Sequence, residues 1–370
     1  MTDISNEHRV VLTLDAGGTN LRFCGMRAGR QVTDMVTLDT HGDNLELCLD
    51  SIVGGFNRVR AMCPVPPVAI SFAFPGPADY PRGIIGDLGN LTGFRGGVAL
   101  GPMLEDKFKI PVFINNDGDL FAYGEAIAGL LPHVNGLLEK AGSPKRYRNL
   151  FGVTLGTGLG GGIVRNGELF IGDNSSAGEI WRLRHKLDTK MNVEEGACIR
   201  AVRRVYAQQA GISINSAPDP KVIEQVAFDE KAAYCEAAVE TYRRVGEVVG
   251  DALGNVLTLV DGLVVIGGGI SKGWRLFLPR LVDELNSSYT KPNGYKFRRL
   301  GPVVFNLEDT EQLGIFLRGD LREVVVPGSN RKVKYDPLAR LGVGITRLGT
   351  SEAVAVGAYA FALNELQKKN

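Results

Sequence analysis

The sequence predicts an α/β protein of two lobes built on a duplicated β-hairpin/helix core. Two glycine-tipped hairpin signals and one repeated order of elements predict it. Val10-Val11-Leu12-Thr13-Leu14 reads as a buried strand, Asp15-Ala16-Gly17-Gly18-Thr19-Asn20 as a turn, and Leu21 to Met26 as the returning strand. In the other half of the chain, Asn149 to Leu155 leads into Gly156-Thr157-Gly158-Leu159-Gly160-Gly161-Gly162. Ile163-Val164-Arg165 leads out, followed by Asn166-Gly167 and Glu168-Leu169-Phe170. After each hairpin comes a helical segment. The first is Asn44 to Met62, with Leu45, Leu49, Ile52, Val53 and Phe56 at helical spacing; the second is Glu230 to Val260. A strand then runs into a turn: Val68 to Phe74 into Pro75-Gly76-Pro77, and Leu263 to Ile266 into Gly267-Gly268-Gly269-Ile270-Ser271. The same order occurring twice predicts two α/β lobes facing a cleft that holds ligand.

The remaining elements follow in chain order. Val98 to Lys109 reads as a short helix and Pro111 to Ile114 as a strand, which ends in Asn115-Asn116-Asp117-Gly118-Asp119. A helix is expected from Leu120 to Leu131, then a polar surface loop over 132–148. Gly172 to Ile180 is small, polar and glycine-punctuated, and Trp181 to Asn192 is a charged excursion. Helices are expected over 198–209 and 277–285. Residues 309–337 read as an insertion or edge ribbon, with β-like pieces at Ile315-Phe316-Leu317 and Val324-Val325-Val326 and a basic run at Asn330 to Lys334. A last helix runs from Glu352 to Gln367. The lobes are therefore drawn as 1–117, completed by a C-terminal helix over 352–370, and 118–351.

Composition narrows the function classes. With 370 residues, length favours about two domains. The 42 basic and 41 acidic residues give a net charge of +1, which supplies no footprint for nucleic acid or an acidic membrane surface. No apolar run approaches the length of a membrane span, and the polar, acidic start is neither a signal nor a transit peptide. A cytoplasmic protein is expected. The five cysteines (Cys24, Cys48, Cys63, Cys198 and Cys235) form no C-x-x-C and read as buried free thiols. His185 and Cys198 are ligand types for zinc, but no pair has zinc-site spacing, and no zinc is expected.

The 156–162 stretch also satisfies the dinucleotide fingerprint G-x-G-x-x-G. That motif needs a helix directly after it to aim its N-terminus at a pyrophosphate. Here β-branched residues and a hairpin follow, so the dinucleotide reading is rejected. Without a Cβ, the glycines let backbone N–H groups approach an anion closely. The stretch is thus either a phosphate cradle or a glycine-rich turn with no ligand. Asp117, at a strand-to-helix junction, is either an N-cap (as Asp119 also can be) or a carboxylate gathered at a strand end for catalysis. Glu194 and Glu195 read equally well as favourable charge in a helix first turn.

Taken together, these segments resemble the ROK family of sugar kinases (repressors, open reading frames and kinases) on the actin-like ATPase, ribonuclease H-like fold. The resemblance rests on Asp15 to Asn20, Gly76-Pro77-Ala78-Asp79, Asn90-Leu91-Thr92-Gly93-Phe94, Asn116-Asp117 followed by Gly124-Glu125, Gly156-Thr157-Gly158, Ala177-Gly178-Glu179-Ile180 and Gly267 to Ile270. It covers about residues 10–310 and 343–362. It implies ATP as phosphoryl donor with Mg²⁺, a small-molecule sugar as acceptor, and a homodimer. It implies that Asp15 approaches the Mg²⁺–phosphate region, with Gly18, Thr19 and Asn20 near the transferred phosphate. Gly156, Thr157 and Gly158 would contact the nucleotide phosphates, and Gly268 and Gly269 would flank the adenosine. Gly76, Asn90, Asn116, Asp117, Glu179 and Glu194 align with sugar-hydroxyl ligands, and Asp117 with the catalytic base.

Three departures stand out. The family's Glu-Ile-Gly-His is Glu179-Ile180-Trp181-Arg182 here, and the cysteine-rich zinc loop that normally follows is absent. Asn-Asp-Ala is Asn116-Asp117-Gly118. No helix-turn-helix precedes residue 10, which disfavours the DNA-binding branch. The expectation is an ATP-dependent hexose or N-acetylhexosamine kinase, in which positioning and charge stabilisation dominate the chemistry. A non-catalytic sugar-sensing protein of the same fold is the alternative.

Overall fold

A computed structural model describes residues 4–368. Residues 1–3 and 369–370, which the lobe boundaries above include, lie outside the described residues. The chain divides into two compact units. One takes the chain up to Gly129, residues 162–178 and everything from Leu348; the other takes 130–161 and 179–347.

The first unit opens with β1 (Val10–Ala16) and β2 (Asn20–Arg27), an antiparallel hairpin extended by β3 (Arg30–Gln31) and β4 (Val36–Asp39) on β2. Helix α1 (Leu45–Met62) follows, capped by the Asn44 side chain accepting from the Leu47 N–H. After it come β5 (Pro67–Ala73), the short pair β6 (Ala78–Asp79) and β7 (Ile84–Ile85), α2 (Leu100–Phe108), β8 (Val112–Asn115) and α3 (Asp117–Ile127). The sheet order is β3-β2-β1-β5-β8, with β5 parallel to both β1 and β8.

As an inner strand between β1 and β8, β5 is buried along nearly its whole length, and its two faces differ. Ile70, Phe72 and Phe74 enter an aromatic core with Phe23, Phe56, Phe94 and Phe108, where ring centroids lie 5.1–6.1 Å apart. Ala69, Ser71 and Ala73 alternate with them and leave the other face shallow.

The second unit begins with α4 (Leu130–Lys140), where the sequence predicts a polar loop. Leu130, Leu131, Val134 and Leu138 are buried along one face, and Pro132 falls in the first turn, where a helix tolerates it. Next are β9 (Leu150–Leu155) and β10 (Leu159–Arg165). The chain re-enters the first unit at Gly162, and the far end of β10 pairs with β11 (Glu168–Phe170). Back in the second unit come α5 (Ile199–Ala210), α6 (Pro220–Phe228), α7 (Cys235–Val260), β12 (Leu263–Gly267) and α8 (Trp274–Leu285).

A small hairpin of β13 (Ser288–Thr290) and β14 (Lys296–Arg298) precedes β15 (Val303–Asn306). Residues 315–317, expected as strand, lie inside α9 (Thr310–Arg318). Asp309 caps that helix, and only Phe316 of its residues is buried. The 324–326 expectation holds in part: β16 (Arg322–Val325) and β17 (Lys332–Tyr335) form an exposed two-stranded ribbon. Its base is tied by the buried Arg340 pairing with Asp336 at 2.6 Å. Strand β18 (Arg340–Ile345) lies between β12 and β15, parallel to both, in the order β10-β9-β12-β18-β15.

The final helix, α10 (Thr350–Lys368), belongs to the first unit. Its Tyr359 hydroxyl accepts from the Ala28 N–H and donates to the Arg9 carbonyl. It crosses α3 at van der Waals contact: a Cβ on Gly124 would strike the Ala353 carbonyl, and one on Gly357 would strike the Leu120 carbonyl. This contact keeps α3 with the first unit, so the division falls after Gly129 and not after Asp117. All five cysteines are free; Cys24, Cys48 and Cys198 are buried.

Because backbone, not a movable side chain, faces both glycines, overpacking here should cost about 1–3 kcal/mol. Gly357→Val is expected to lower the thermal midpoint clearly, whereas Gly136→Ala, inside α4 where a Cβ meets open space, is expected to hold it or raise it. Circular dichroism melts of the two variants check this.

Candidate functional site

The first unit's candidate residues are set by strand register. Asp15 of β1 lies opposite Ala73 of β5, and Ala73 opposite Asn115 of β8. Three parallel strands thus end level, at the carboxyl edge where open α/β sheets collect ligand groups. Beyond that edge lie the Gly17–Thr19 tip, Gly76, and the Asn116-Asp117 pair.

The tip is closed by Gly17 N–H donating to the Asn20 carbonyl at 3.0 Å. Thr40 holds it from the side, its hydroxyl donating to Gly17 O at 2.7 Å and its N–H to Thr19 O at 3.0 Å. Asp15, Gly18, Thr19 and Gly76 are exposed, and Asn20 is half-buried. Asn90 is also exposed, on a loop that Arg95 pins through the Leu88 and Phe94 carbonyls at 2.6 and 2.7 Å.

The N-cap of α3 is Asn116, whose side chain accepts from the Gly118 N–H at 2.8 Å. Asp117 is therefore the first helical residue and not the cap. Its carboxylate reaches solvent, yet protein mass crowds it closely. That crowding pushes its pKa above the ordinary aspartate value, and the like charge of Asp15 adds to the rise. Hydrogen bonds from the backbone N–H groups of Gly118 and Asp117 act against it. Its open face tempers the shift but leaves its direction.

The second unit has a matching edge. Thr154 at the end of β9 lies opposite Gly267 at the end of β12, so the Gly156–Gly158 tip and Gly268-Gly269 emerge side by side. Gly268 sits at φ 91°, ψ 169°, a region reserved for glycine, and a Cβ there would strike the Leu155 carbonyl. The Ser271 hydroxyl donates to Gly268 O at 2.7 Å.

In the tip, Gly156 N–H donates to Gly158 O at 3.0 Å and Ile199 N–H to Gly156 O at 2.9 Å. Glu194 takes up an internal position: Oε2 accepts from Leu159 N–H at 2.9 Å and Oε1 from Arg200 at 2.5 Å. Glu179 is half-buried, accepts a hydrogen bond from the Trp181 indole N–H, and lies 3.6 Å from Arg182, whose guanidinium stacks on the indole at 4.3 Å. The two residues standing where the family pattern has Gly-His thus both attend Glu179.

The candidate metal ligands are committed elsewhere. His185 Nδ1 accepts from the Leu187 and Asp188 N–H groups at 3.1 and 3.0 Å, which places its proton on Nε2, and burial pushes its pKa down. Burial pushes the Cys198 thiol up. Among the described residues, no three His, Cys, Asp or Glu side chains cluster as a metal site.

Two α/β units, each with a glycine-tipped hairpin on a sheet whose parallel strands end at one edge, define the actin-like ATPase fold. Within it, the chain belongs to the ROK family, whose model matches residues 11–300. It is similar to a glucokinase from Parabacteroides distasonis, a solved structure at 50% identity and TM-score 0.91 that covers 98% of this chain and 99% of that one. It is 24% identical to a glucokinase of Halalkalibacterium halodurans over 77% of this chain and 88% of that protein. It is 28% identical to an N-acetyl-D-glucosamine kinase of Vibrio parahaemolyticus, over 70% of this chain and 83% of that one.

Two supporting residues went unseen in the sequence. Arg200 carried a usable signal, a cation a few positions after Glu194-Glu195. Thr40 carried none, since its partners lie across β2 and β4. Space around the glycines gives a test. A Cβ on Gly156 meets nothing within 4 Å, so Gly156→Ala is expected to melt with the unmodified protein. Gly268→Ala is expected to lose about 1–3 kcal/mol, read from denaturant midpoints.

Proposed function

We propose that the protein transfers the γ-phosphoryl group of ATP to a hydroxyl of a hexose or N-acetylhexosamine, with Asp117 as general base. The observation that carries this reading is the level ending of β1, β5 and β8, which sets Asp15 and Asp117 on one edge of the first unit with the Gly17–Thr19 tip. The named kinases among its relatives support it. Glucose is the first acceptor to test, because the similarity to the Parabacteroides glucokinase spans nearly the whole chain at 50% identity.

Asp117 accepts the proton of the attacking hydroxyl. A carboxylate with a raised pKa is a stronger base than an ordinary aspartate, which suits that task. Gly76, Asn90, Asn116, Glu179 and Glu194 are the candidate hydroxyl partners. A buried carboxylate matched to a hydroxyl rejects a substrate lacking it by about 10⁴–10⁵. In the first unit, Gly18, Thr19 and Asn20 lie near the phosphoryl group as it passes to the sugar hydroxyl. In the second, Gly156, Thr157 and Gly158 hold the nucleotide phosphates and Gly268-Gly269 flank the adenosine.

The exposed carboxylate of Asp15 is a hard oxygen donor suited to Mg²⁺, which coordinates through water and phosphate and lends charge neutralisation when bound. The ion, a homodimer and a cytoplasmic setting rest on the family resemblance. Among the described residues, no helix is long and apolar enough to cross a membrane.

Measuring ADP release across hexoses and N-acetylhexosamines tests the reading. Turnover with glucose or an N-acetylhexosamine is expected; sugar binding with no ADP release from any of them would replace the kinase with a sugar-binding protein. Asp117→Asn is expected to lower kcat by about 10²–10⁴-fold. The stability sign is opposite. With its folded pKa raised, the carboxylate weakens the fold progressively as pH climbs from the ordinary aspartate value through the raised one. The variant should therefore melt at or above the unmodified protein at pH 7. A parallel loss of kcat and melting temperature would assign Asp117 a structural role instead.

A further inference from the structure

We propose that the second unit holds a further binding site, for a small carboxylate with an apolar body, in the cavity enclosed by residues 185–191, α5 and α7. None of the residues assigned above to sugar or nucleotide lines it. The proposal stands apart from the kinase reading and does not need it.

The cavity measures about 250 Å³. Its floor is apolar because α5 and α7 each turn a valine pair toward it. The pairs are Val202 with Val205 and Val245 with Val248, at the spacing that puts two side chains on one helix face. An apolar cavity of about 150 Å³ takes benzene, so this one has room for a ring and a carboxylate.

A wholly apolar cavity would ask for a hydrocarbon, but this one carries an unspent donor. His185 is buried and lines the cavity, with Nδ1 taken by the Leu187 and Asp188 N–H groups. Its proton therefore sits on Nε2, and burial, by pushing the pKa down, makes the ring a neutral donor. That Nε2 lies against Gly196 of the cavity wall, where an added Cβ would come within 2.5 Å of it. Among the described residues nothing accepts from it. A buried donor without an acceptor is costly, which favours an acceptor brought from outside the chain.

The charges in the lining decide what kind of acceptor. Glu195 is spent on Arg200 and Arg204, and Arg204 is spent on the Glu195 carboxylate and carbonyl. Asp188 stands at the exposed rim, where solvent screens it, with Oδ1 on the Lys190 N–H. Arg244 keeps Nε on Glu240 at 2.8 Å, while its terminal nitrogens make no hydrogen bond among the described residues. What is left to a ligand is a neutral N–H and a cation, the pair that suits a carboxylate. A bare inorganic anion would leave the valine floor uncovered.

The test uses benzoate as the probe, on the full chain labelled with ¹⁵N-histidine. The chain has four histidines, and the His185 signal is assigned from its loss in His185→Asn. That variant keeps an acceptor, Oδ1, for the Leu187 and Asp188 N–H groups and removes the Nε2 donor. Benzoate is expected to shift the His185 Nε2 signal saturably, and acetate, which cannot cover the floor, is not. By calorimetry, His185→Asn and Arg244→Met are each expected to weaken benzoate about tenfold, the loss typical of one hydrogen bond to a charged group. Glucose and the ATP analogue AMPPNP are expected to leave benzoate binding unchanged. Three results would each overturn the proposal: no saturable shift, which leaves the donor to water; an equal shift with acetate, which reduces the site to a charge any anion meets; and displacement by glucose or AMPPNP, which puts benzoate elsewhere. If His185→Asn melts well below the unmodified protein, the half-exposed Arg244 decides: undiminished benzoate affinity in Arg244→Met would sink the proposal.

Discussion

The constraint on which the rest depends is the common ending of three parallel strands. Register in a parallel sheet is fixed by its whole hydrogen-bond ladder and by burial of both faces, so no single loop can shift one strand end relative to another. With Asp15, Ala73 and Asn115 level, whatever follows each strand must appear at one edge. The unequal faces of β5 serve the same end. Phenylalanines on one side fix the sheet against α1 and α2; small residues on the other receive α10, which in turn crosses α3 with Gly124 and Gly357 against backbone. Asp117, at the first turn of α3, inherits its position from that packing.

The same logic is carried out in the second unit with backbone alone. There the candidate groups are mostly N–H donors, and a backbone dipole is aimed only by controlling what its opposite end bonds to. Hence the importance of groups that never face a ligand: the Ile199 N–H at the start of α5, the Arg200 guanidinium, and the Leu155 carbonyl beneath Gly268. Glycine is required for different reasons at different positions. Gly268 has a backbone conformation that side chains avoid, Gly158 has a carboxylate against it, and Gly156 has open space.

Much of this was legible in sequence wherever the interaction is local. The two hairpins, α1, β5 and α10 are signalled by neighbouring residues, and the structure has them within a few positions. The misread segments are those where local chemistry is ambiguous. Leu130 to Lys140 carries Pro, His, Asn and Gly, which read as loop, but its apolar residues fall at helical spacing and tertiary burial decides for helix. Ile315-Phe316-Leu317 is β-like as a tripeptide, yet Asp309 caps a helix through it and only Phe316 needs burying. In the site, the sequence offered Asp117 or Asp119 as the cap, and the structure gives it to Asn116. The contact of Glu194 with the Leu159 N–H was beyond reach, because a backbone donor has no letter in the sequence.

The segment between Glu179 and Glu194, where the family resemblance would put a zinc loop, is held here by side-chain contacts. A zinc ion fixes its ligands by coordination, so a chain without the cysteines needs other means of holding the same stretch. Here Lys186 bridges Glu247 of α7 and Glu284 of α8 at 3.0 and 2.7 Å, and Arg299 ties Glu284 to Asp251. The buried imidazole of His185 caps the following turn, and the Val193 N–H donates to the Leu183 carbonyl at 2.8 Å. Each contact is weaker than a metal bond, and the exposed ones are screened by salt. Their number and their anchorage on two long packed helices supply the rigidity instead. At one end of the segment Trp181 and Arg182 attend Glu179; at the other Glu194 reaches the glycine loop. The ordering that coordination would concentrate at one point is spread over ion pairs, a histidine cap and stacked side chains.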